Sequence, residues 1–392
     1  MRRPCWPWAV ATRRGTGSPG RSPPTRTLRP TPPTGSPSST AWCSPTSSKV
    51  RTKTEVSALV DAYAGVVCDL DGVVYRGPTA VDHAVAALSS VQARVVYATN
   101  NASRPPQEVA AHLTDLGLSV TGNDVVTSSQ AGAGELAKHL PSGATVLGVG
   151  GPGVREALQH SGFRVLSADD TRDDPTARVG GVLQGYGTTV TASDLAEAAY
   201  AITAGAVWVA TNTDRTLPTH RGTAPGNGSL VAAVRMAVTR DPIVAGKPEA
   251  PLYRMCADRL GLPAREVLAV GDRLDTDIAG AVTTGMDSVL VLTGVDSVTS
   301  TAVAPVSMRP TFVVEDLRAL GEAYVGVETD FTWWTCGGDR RRVVDGRWDV
   351  AAAGAPIEAA RAGLACLHEG VDHGELTQEQ ARALARQLDV WQ

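Results

Sequence analysis

Three short apolar runs in this chain stop abruptly at charged or strongly hydrogen-bonding side chains. Val66-Val67-Cys68 ends at Asp69-Leu70-Asp71-Gly72, Val95-Val96-Tyr97-Ala98 at Thr99-Asn100-Asn101, and Val267-Leu268-Ala269-Val270 at Gly271-Asp272. Runs of this length without polar alternation fit strands buried on both faces of a parallel sheet. In open parallel α/β sheets, ligands bind beyond the carboxyl ends of the strands. Side chains alternate along an extended chain, so Asp69 and Asp71 point the same way. Two anions that close cost free energy unless a cation or a reacting group offsets the repulsion.

A lysine extends the pattern. Ala245-Gly246-Lys247-Pro248 lies between the second and third runs, in a chain with four lysines (Lys49, Lys53, Lys138, Lys247) against 32 arginines. A compact ammonium there can balance a carboxylate and an anionic ligand together; the plain alternative is an exposed turn residue before Pro248. Asp275 and Asp277 also have a plain alternative, as caps of a helix expected over 276–284. Asp272 lies directly after Gly271 at a strand end, where capping explains it less well.

Taken in order, Asp69-x-Asp71-Gly72-Val73, Thr99, Lys247 and Gly271-Asp272…Asp277 resemble the four motifs of the haloacid dehalogenase superfamily of phosphohydrolases. Gly72-Val73-Val74-Tyr75, Thr99-Asn100-Asn101 and Gly271-Asp272-Arg273-Leu274-Asp275-Thr276-Asp277-Ile278 narrow the resemblance to the subfamily with a large α/β cap between motifs two and three, over about residues 62–322. The resemblance implies an α/β fold with a doubly wound, Rossmann-like parallel-sheet core and an inserted cap. It implies Asp69 as a nucleophile forming an aspartyl-phosphate, and Asp71 as the acid for the leaving group and then the base for water. Phosphatase members carry an aspartate at that second position; dehalogenases do not, and transport ATPases carry threonine. Catalysis of this kind is mostly positioning and charge neutralisation. The implied cofactor is Mg²⁺, a hard cation suited to oxygen ligands, held by Asp69, the backbone carbonyl of Asp71, and Asp272, with Asp277 as an outer or auxiliary acid. Thr99, Asn100, Asn101 and Lys247 are expected on the phosphate.

Gly148-Val149-Gly150-Gly151-Pro152-Gly153 offers a competing motif. It follows a strand-like run at 145–147, with Asp169 and Asp170 near the distance of a ribose contact, as in a dinucleotide fingerprint. The match is degenerate in a chain with 40 glycines, and the resembled subfamily has a glycine-rich turn in its cap at this point. No dinucleotide is expected.

The 392 residues suggest two or three domains: a core from 55–128 and 242–324, a cap at 129–241, and a carboxy-terminal extension at 325–392 outside the resemblance. Expected core elements are strands at 66–69, 95–99, 125–127, 267–270 and 288–293, and helices at 80–91, 106–116, 250–260 and 276–284. The cap is expected to hold helices near 131–139, 153–161, 192–204 and 229–239, with strands at 145–149, 179–183 and 207–210. Residues 1–54 hold ten of the 36 Lys+Arg and no acid, so the rest carries 26 of them against all 40 Asp+Glu. That leader is expected as a disordered tail or the product of a start codon placed too early. The acidic body argues against nucleic-acid binding, and no run approaches the ~18 apolar residues of a membrane span. Six cysteines without metal or redox spacing fit a reducing cytoplasm.

A cap that closes over a small leaving group excludes water. Its strand end at 210–214 and its glycine-rich loop at 225–229 make Asn212, Asp214 and Asn227 the candidate substrate contacts; turn and capping chemistry accounts for Gly226 and Ser229. Enzymes sharing the cap act on glycerol phosphate, phosphoglycolate, nitrophenyl phosphate, nucleotides or pyridoxal phosphate. This chain looks most like the glycerol 3-phosphate phosphatases of actinobacteria, which implies a small phosphorylated metabolite as partner. The rival reading is a regulatory binding protein on a retained phosphatase fold, against which the intact Asp69, Asp71, Lys247 and Asp272 weigh. Residues 325–392 hold Trp333, Trp334, Trp348 and Trp391 and helical stretches near 356–368 and 377–388, with capping character around Thr377 and Glu379. They read equally as a packing module, a homo-oligomer contact or a regulatory unit.

Overall fold

The computed structural model describes residues 57–219, 221–330 and 332–391; the expected tail at 1–54 lies outside them. The central sheet has six parallel strands in the order Phe312–Val314, Asp287–Val291, Val267–Gly271, Gly65–Cys68, Arg94–Thr99 and Val125–Thr127. Val66, Val67, Cys68, Leu268, Ala269 and Val270 are all buried, which is why these strands are apolar on both faces. From Gly65–Cys68 the chain builds outward through Arg94–Thr99, then returns to the other side at Val267–Gly271. The direction of winding therefore switches between these two strands, the crevice where open α/β sheets bind ligands. Cys68 pairs with Val270, so Asp69 and Asp272 leave neighbouring strands at nearly the same level.

A second parallel sheet has the order Ile243–Val244, Val207–Ala210, Gly181–Gln184, Thr145–Val149 and Arg164–Leu166. The chain enters it through the Ser128–Leu136 helix, where Thr127 and Gln130 cap each other reciprocally at 3.0 and 3.3 Å. The glycine-rich turn at 148–153 lies at the seam between the sheets. The Gly153 N–H donates to Ser103 O at 2.9 Å. A Cβ on Gly153 would sit 2.6 Å from Ala102 O and 2.7 Å from Arg104 O, and one on Gly151 2.7 Å from Ser103 O. The place a pyrophosphate would take at the start of the Pro152–His160 helix is filled by the chain's own backbone.

The carboxy-terminal segment forms a four-stranded antiparallel sheet: Glu328–Thr329, Trp334–Cys336, Asp339–Val344 and Arg347–Ala352. The Pro356–Asp372 and Gln378–Ala385 helices follow. Ala360, Leu364, Leu367, Ala381, Leu384 and Leu388 share one apolar cluster with Leu274, Ile278, Leu290, Leu292, Val298 and Val313 of the central sheet's flank. Each fully buried leucine there contributes about 1.5–3 kcal/mol.

Several elements differ from expectation. The helix expected over 80–91 is Ala84–Ser90, because Tyr75–Arg76 and Thr79–Ala80 first pair as a hairpin. The helix expected over 276–284 opens with a wide turn, Leu274–Ile278, before Ala279–Thr284. Thr377 caps its helix with Gln380, not Glu379: the hydroxyl accepts the Gln380 N–H at 3.2 Å and Gln380 Oε1 accepts the Thr377 N–H at 2.9 Å.

Candidate active site at the switch point

Asp69 follows the Gly65–Cys68 strand, its main chain fastened by its N–H to Val270 O at 2.8 Å. Its carboxylate accepts from Lys247 Nζ. The same ammonium donates to Asp277 Oδ1 at 2.7 Å, and it is only 4 % exposed. Asp277 is committed on both sides, since its Oδ2 accepts the Arg273 N–H at 3.1 Å. Burial works to lower the Lys247 pKa, yet Asp277 and Asp69 together hold it well above the ordinary lysine value. Burial raises Asp69 well above the usual carboxylate range, opposed by Lys247 and reinforced by Asp277, Asp272 and Asp71.

Asp272 stands across the crevice. Its Oδ2 accepts the Val295 N–H at 2.8 Å. Its Oδ1 is buried with no hydrogen-bond partner. Two glycines make room for it: a Cβ on Gly72, whose φ is +85°, would fall 2.4 Å from Asp272 Oδ2, and one on Gly294 1.9 Å from the same atom. Burial and Asp277 push the Asp272 pKa up to about 7. Carboxylate oxygens of Asp69, Asp272 and Asp277 all lie within 4.8 Å of one another. With Asp277 already bonded to Lys247 and the Arg273 N–H, Asp69 and the orphaned Asp272 oxygen are the groups that suit a hard divalent cation. Asp71 is exposed to solvent but recessed among protein atoms, and that partial desolvation raises its carboxyl pKa against Lys247, Arg104 and His112.

Thr99 ends its strand buried, with Oγ1 accepting the Asn101 N–H at 3.0 Å. Its own hydroxyl hydrogen remains to be donated. Asn100 joins three segments: Nδ2 donates to Asp214 at 3.2 and 3.3 Å and to Lys247 O at 3.1 Å, and Oδ1 accepts the Lys247 N–H at 2.8 Å. Asn100 thereby links Asp214, in the loop after Val207–Ala210, to the main chain at Lys247, and burial raises the Asp214 carboxyl pKa against Asn100 and Arg273. Asn101 Oδ1 is taken by Ser103 N–H and Oγ at 3.0 and 2.8 Å.

Asn212 and Asn227, expected on the substrate, are 4 % and 2 % exposed and serve the backbone instead. Asn212 Nδ2 donates to Asn100 O at 2.7 Å, and Asn227 Nδ2 to Asn212 O at 2.8 Å. The first ties the loop that carries Asp214 to the end of the Arg94–Thr99 strand, and the second ties that loop to the Asn227–Arg235 helix. Sequence reasoning missed Thr293, whose hydroxyl donates to Gly72 O at 2.9 Å, and Asp296, whose Oδ2 accepts the Leu274 N–H at 2.7 Å. Nothing in their immediate sequence marks them, because both act across more than 20 positions of chain.

The haloacid dehalogenase-like hydrolase family model matches residues 66–164, and a HAD-hydrolase-like model matches 244–320. The chain is 48 % identical over 255 residues to the D-glycerol 3-phosphate phosphatase of Mycobacterium tuberculosis, covering 65 % of this chain and 70 % of the relative. It is 34 % identical over 259 residues to the acid sugar phosphatase of Staphylococcus saprophyticus, covering 65 % of this chain and 96 % of that one. The crystal structure of the M. tuberculosis glycerol phosphate phosphatase in complex with magnesium superposes with a TM-score of 0.72 at 41 % identity, over 80 % of this chain and 93 % of that chain. A parallel sheet whose acidic crevice sits at the switch point, matched in sequence and in shape by these enzymes, places the chain in the haloacid dehalogenase-like hydrolases, as a phosphatase of that family.

Proposed function

We propose that this phosphatase hydrolyses glycerol 3-phosphate with Mg²⁺ as its cofactor. The observation that carries the catalytic part is the buried acidic crevice, with one ammonium among its carboxylates and an Asp272 oxygen that lacks a partner. The substrate is taken from the M. tuberculosis relative, and the metal from its magnesium complex. Asp69 and Asp272 hold the cation together with the main chain at Asp71, and Asp277 anchors Lys247 as an outer acid. When bound, the cation neutralises phosphate charge and orients the ester for in-line attack.

Asp69 attacks phosphorus and carries the phosphoryl group as an acyl phosphate. Asp71, with its raised pKa, gives its proton to the departing glycerol oxygen and then takes one from the hydrolytic water. Lys247 screens Asp69 from the incoming anion, and the Thr99 hydroxyl and the segment at Asn100 and Asn101 donate to phosphate oxygens. Asp214, held by Asn100, faces the leaving group from the cap. In this reading residues 55–128 and 242–324 are the catalytic core and 129–241 the cap. Cys68, Cys256, Cys336 and Cys366 are buried free thiols, which supports a cytoplasmic enzyme; among the described residues no helix is long and apolar enough to cross a membrane.

Phosphate release measured with Mg²⁺ across glycerol 3-phosphate, sugar phosphates, phosphoglycolate and nitrophenyl phosphate tests both parts. The expected result is the highest kcat/KM on glycerol 3-phosphate, with Asp69→Asn reducing turnover by roughly a thousandfold or more. A preferred sugar phosphate overturns the substrate. Full activity in Asp69→Asn overturns the mechanism.

A further inference from the structure

The loop after the Asp287–Val291 strand joins the acidic crevice to the carboxy-terminal segment. At its front, Thr293 Oγ1 donates to Gly72 O at 2.9 Å, the Val295 N–H to Asp272 Oδ2 at 2.8 Å, and the Asp296 N–H to Asp272 O at 3.0 Å. At its back, Asp389 Oδ2 accepts the Thr299 N–H at 3.0 Å and the Thr299 hydroxyl at 2.7 Å. His368 Nε2 meets Thr301 O at 2.7 Å.

Packing holds the two ends of this loop, at Leu292 and from Val298 onward, and leaves 293–296 without a buried apolar side chain. Val298, Thr301 and Ala302 are fully buried, and Val298 and Ala302 share the apolar cluster of Leu367, Leu384 and Leu388. Val295, whose N–H aims Asp272, is 64 % exposed and has no packed side chain to fix its main chain. Its position rests on hydrogen bonds at the front and on the anchored turn behind. Asp389 Oδ1 is buried without a partner, a placement that costs stability. The charge-assisted bonds made by its other oxygen are stronger than neutral ones.

We infer that Asp389 is a positioning residue for the active site: it fixes the 293–299 segment whose Val295 N–H aims Asp272, and so makes the carboxy-terminal segment a working part of the catalytic centre. The inference rests on Asp272 being the cation ligand of the proposed function. Groups that touch a metal ligand directly alter metal affinity by roughly 10–100-fold. Asp389 acts one step further out, and a single buried hydrogen bond corresponds to about three- to tenfold.

Three variants test this: Asp389→Ala, Asp389→Asn, and Asp372→Asn as a control. Asp372 pairs bidentately with Arg309 at 2.6 and 2.7 Å on the same carboxy-terminal segment, and its partner lies outside 293–299. Amide exchange of the 293–299 segment, read without metal, is expected to quicken in Asp389→Ala and to stay near wild type in Asp372→Asn. Calorimetric titration with MgCl₂ is expected to show about three- to tenfold weaker binding in Asp389→Ala, with Asp389→Asn, which keeps an acceptor oxygen, within about twofold of wild type. Turnover of Asp389→Ala should recover at saturating magnesium. Unchanged exchange and affinity in Asp389→Ala overturn the inference, and so do equal losses in Asp372→Asn, which mean a general loosening. If the wild-type chain binds no magnesium, the metal reading fails, and the metal-free exchange still judges the coupling.

Discussion

Lys247 carries one positive charge between Asp69 and Asp277, while Asp272 is held by the Val295 N–H and keeps one oxygen unpaired. Crowded buried anions of this kind lower stability until a cation arrives. Asp272→Asn keeps an acceptor for Val295 and removes a charge. In the absence of magnesium it is expected to raise the melting temperature by about 2–4 °C, near 1 kcal/mol. It should also abolish the further rise that magnesium gives the wild type. Differential scanning calorimetry with and without MgCl₂ checks this; a lower melting temperature without metal sinks it. The sequence singled out Asp69, Asp71, Lys247 and Asp272 because each sits just past an apolar run or in a short motif, and the structure brings Asp69, Lys247 and Asp272 into one crevice. The backbone bonds of Asn212 and Asn227 were not legible, for the opposite reason. An amide's use depends on which backbone lies beside it, and theirs belongs to Asn100 and Asn212, the first more than a hundred residues away.

At the scale of elements, the turn at 148–153 shows how one local pattern can serve two ends. Glycines that would let a pyrophosphate approach a helix start here let the Ala102–Arg104 main chain approach it. Gly153→Ala would put a methyl 2.6 Å from Ala102 O and 2.7 Å from Arg104 O. It is expected to destabilise by about 1–3 kcal/mol through overpacking, read as a lower urea midpoint at unchanged slope; an unaltered midpoint would show that the seam yields freely. Other elements carried signals that went unread. Asp345-Gly346, with φ of +48° and +72°, joins Asp339–Val344 to Arg347–Ala352, and Asp-Gly between extended runs is a strong hairpin signal. Arg341, bonded to Asp339 at 2.6 Å twice and stacked 5.2 Å from the Trp348 ring, sits on that sheet's covered face. A buried arginine hides such a face from any reading of hydrophobic alternation.

Across the whole molecule, the carboxy-terminal helices close over the flank of the central sheet, and His368 reports on that contact. Burial lowers its pKa, opposed by Thr301 O, with Arg309 lowering it further and Asp372 raising it. Its folded value is therefore below the unfolded value of about 6.5. The neutral imidazole contributes stability that is present above that unfolded value and is lost as pH falls through the folded one. His368→Gln, which can still donate to Thr301 O, is expected to remove this part of the acid sensitivity. Urea midpoints at pH 7.5 and 5.5 should therefore differ less in the variant than in the wild type; an equal difference would mean that His368 does not titrate on unfolding. By itself the sequence determined the parallel sheet and the residues at its carboxyl edge, because burial on both faces demands apolar runs and chemistry demands polar residues where those runs stop. Only the tertiary structure decided which amides hold backbone, that the Ala102–Arg104 main chain packs against the glycine-rich turn at 148–153, and how Asp389 comes to stand behind the Asp272 loop. Those outcomes depend on contacts between segments far apart in the chain, and no local pattern encodes them.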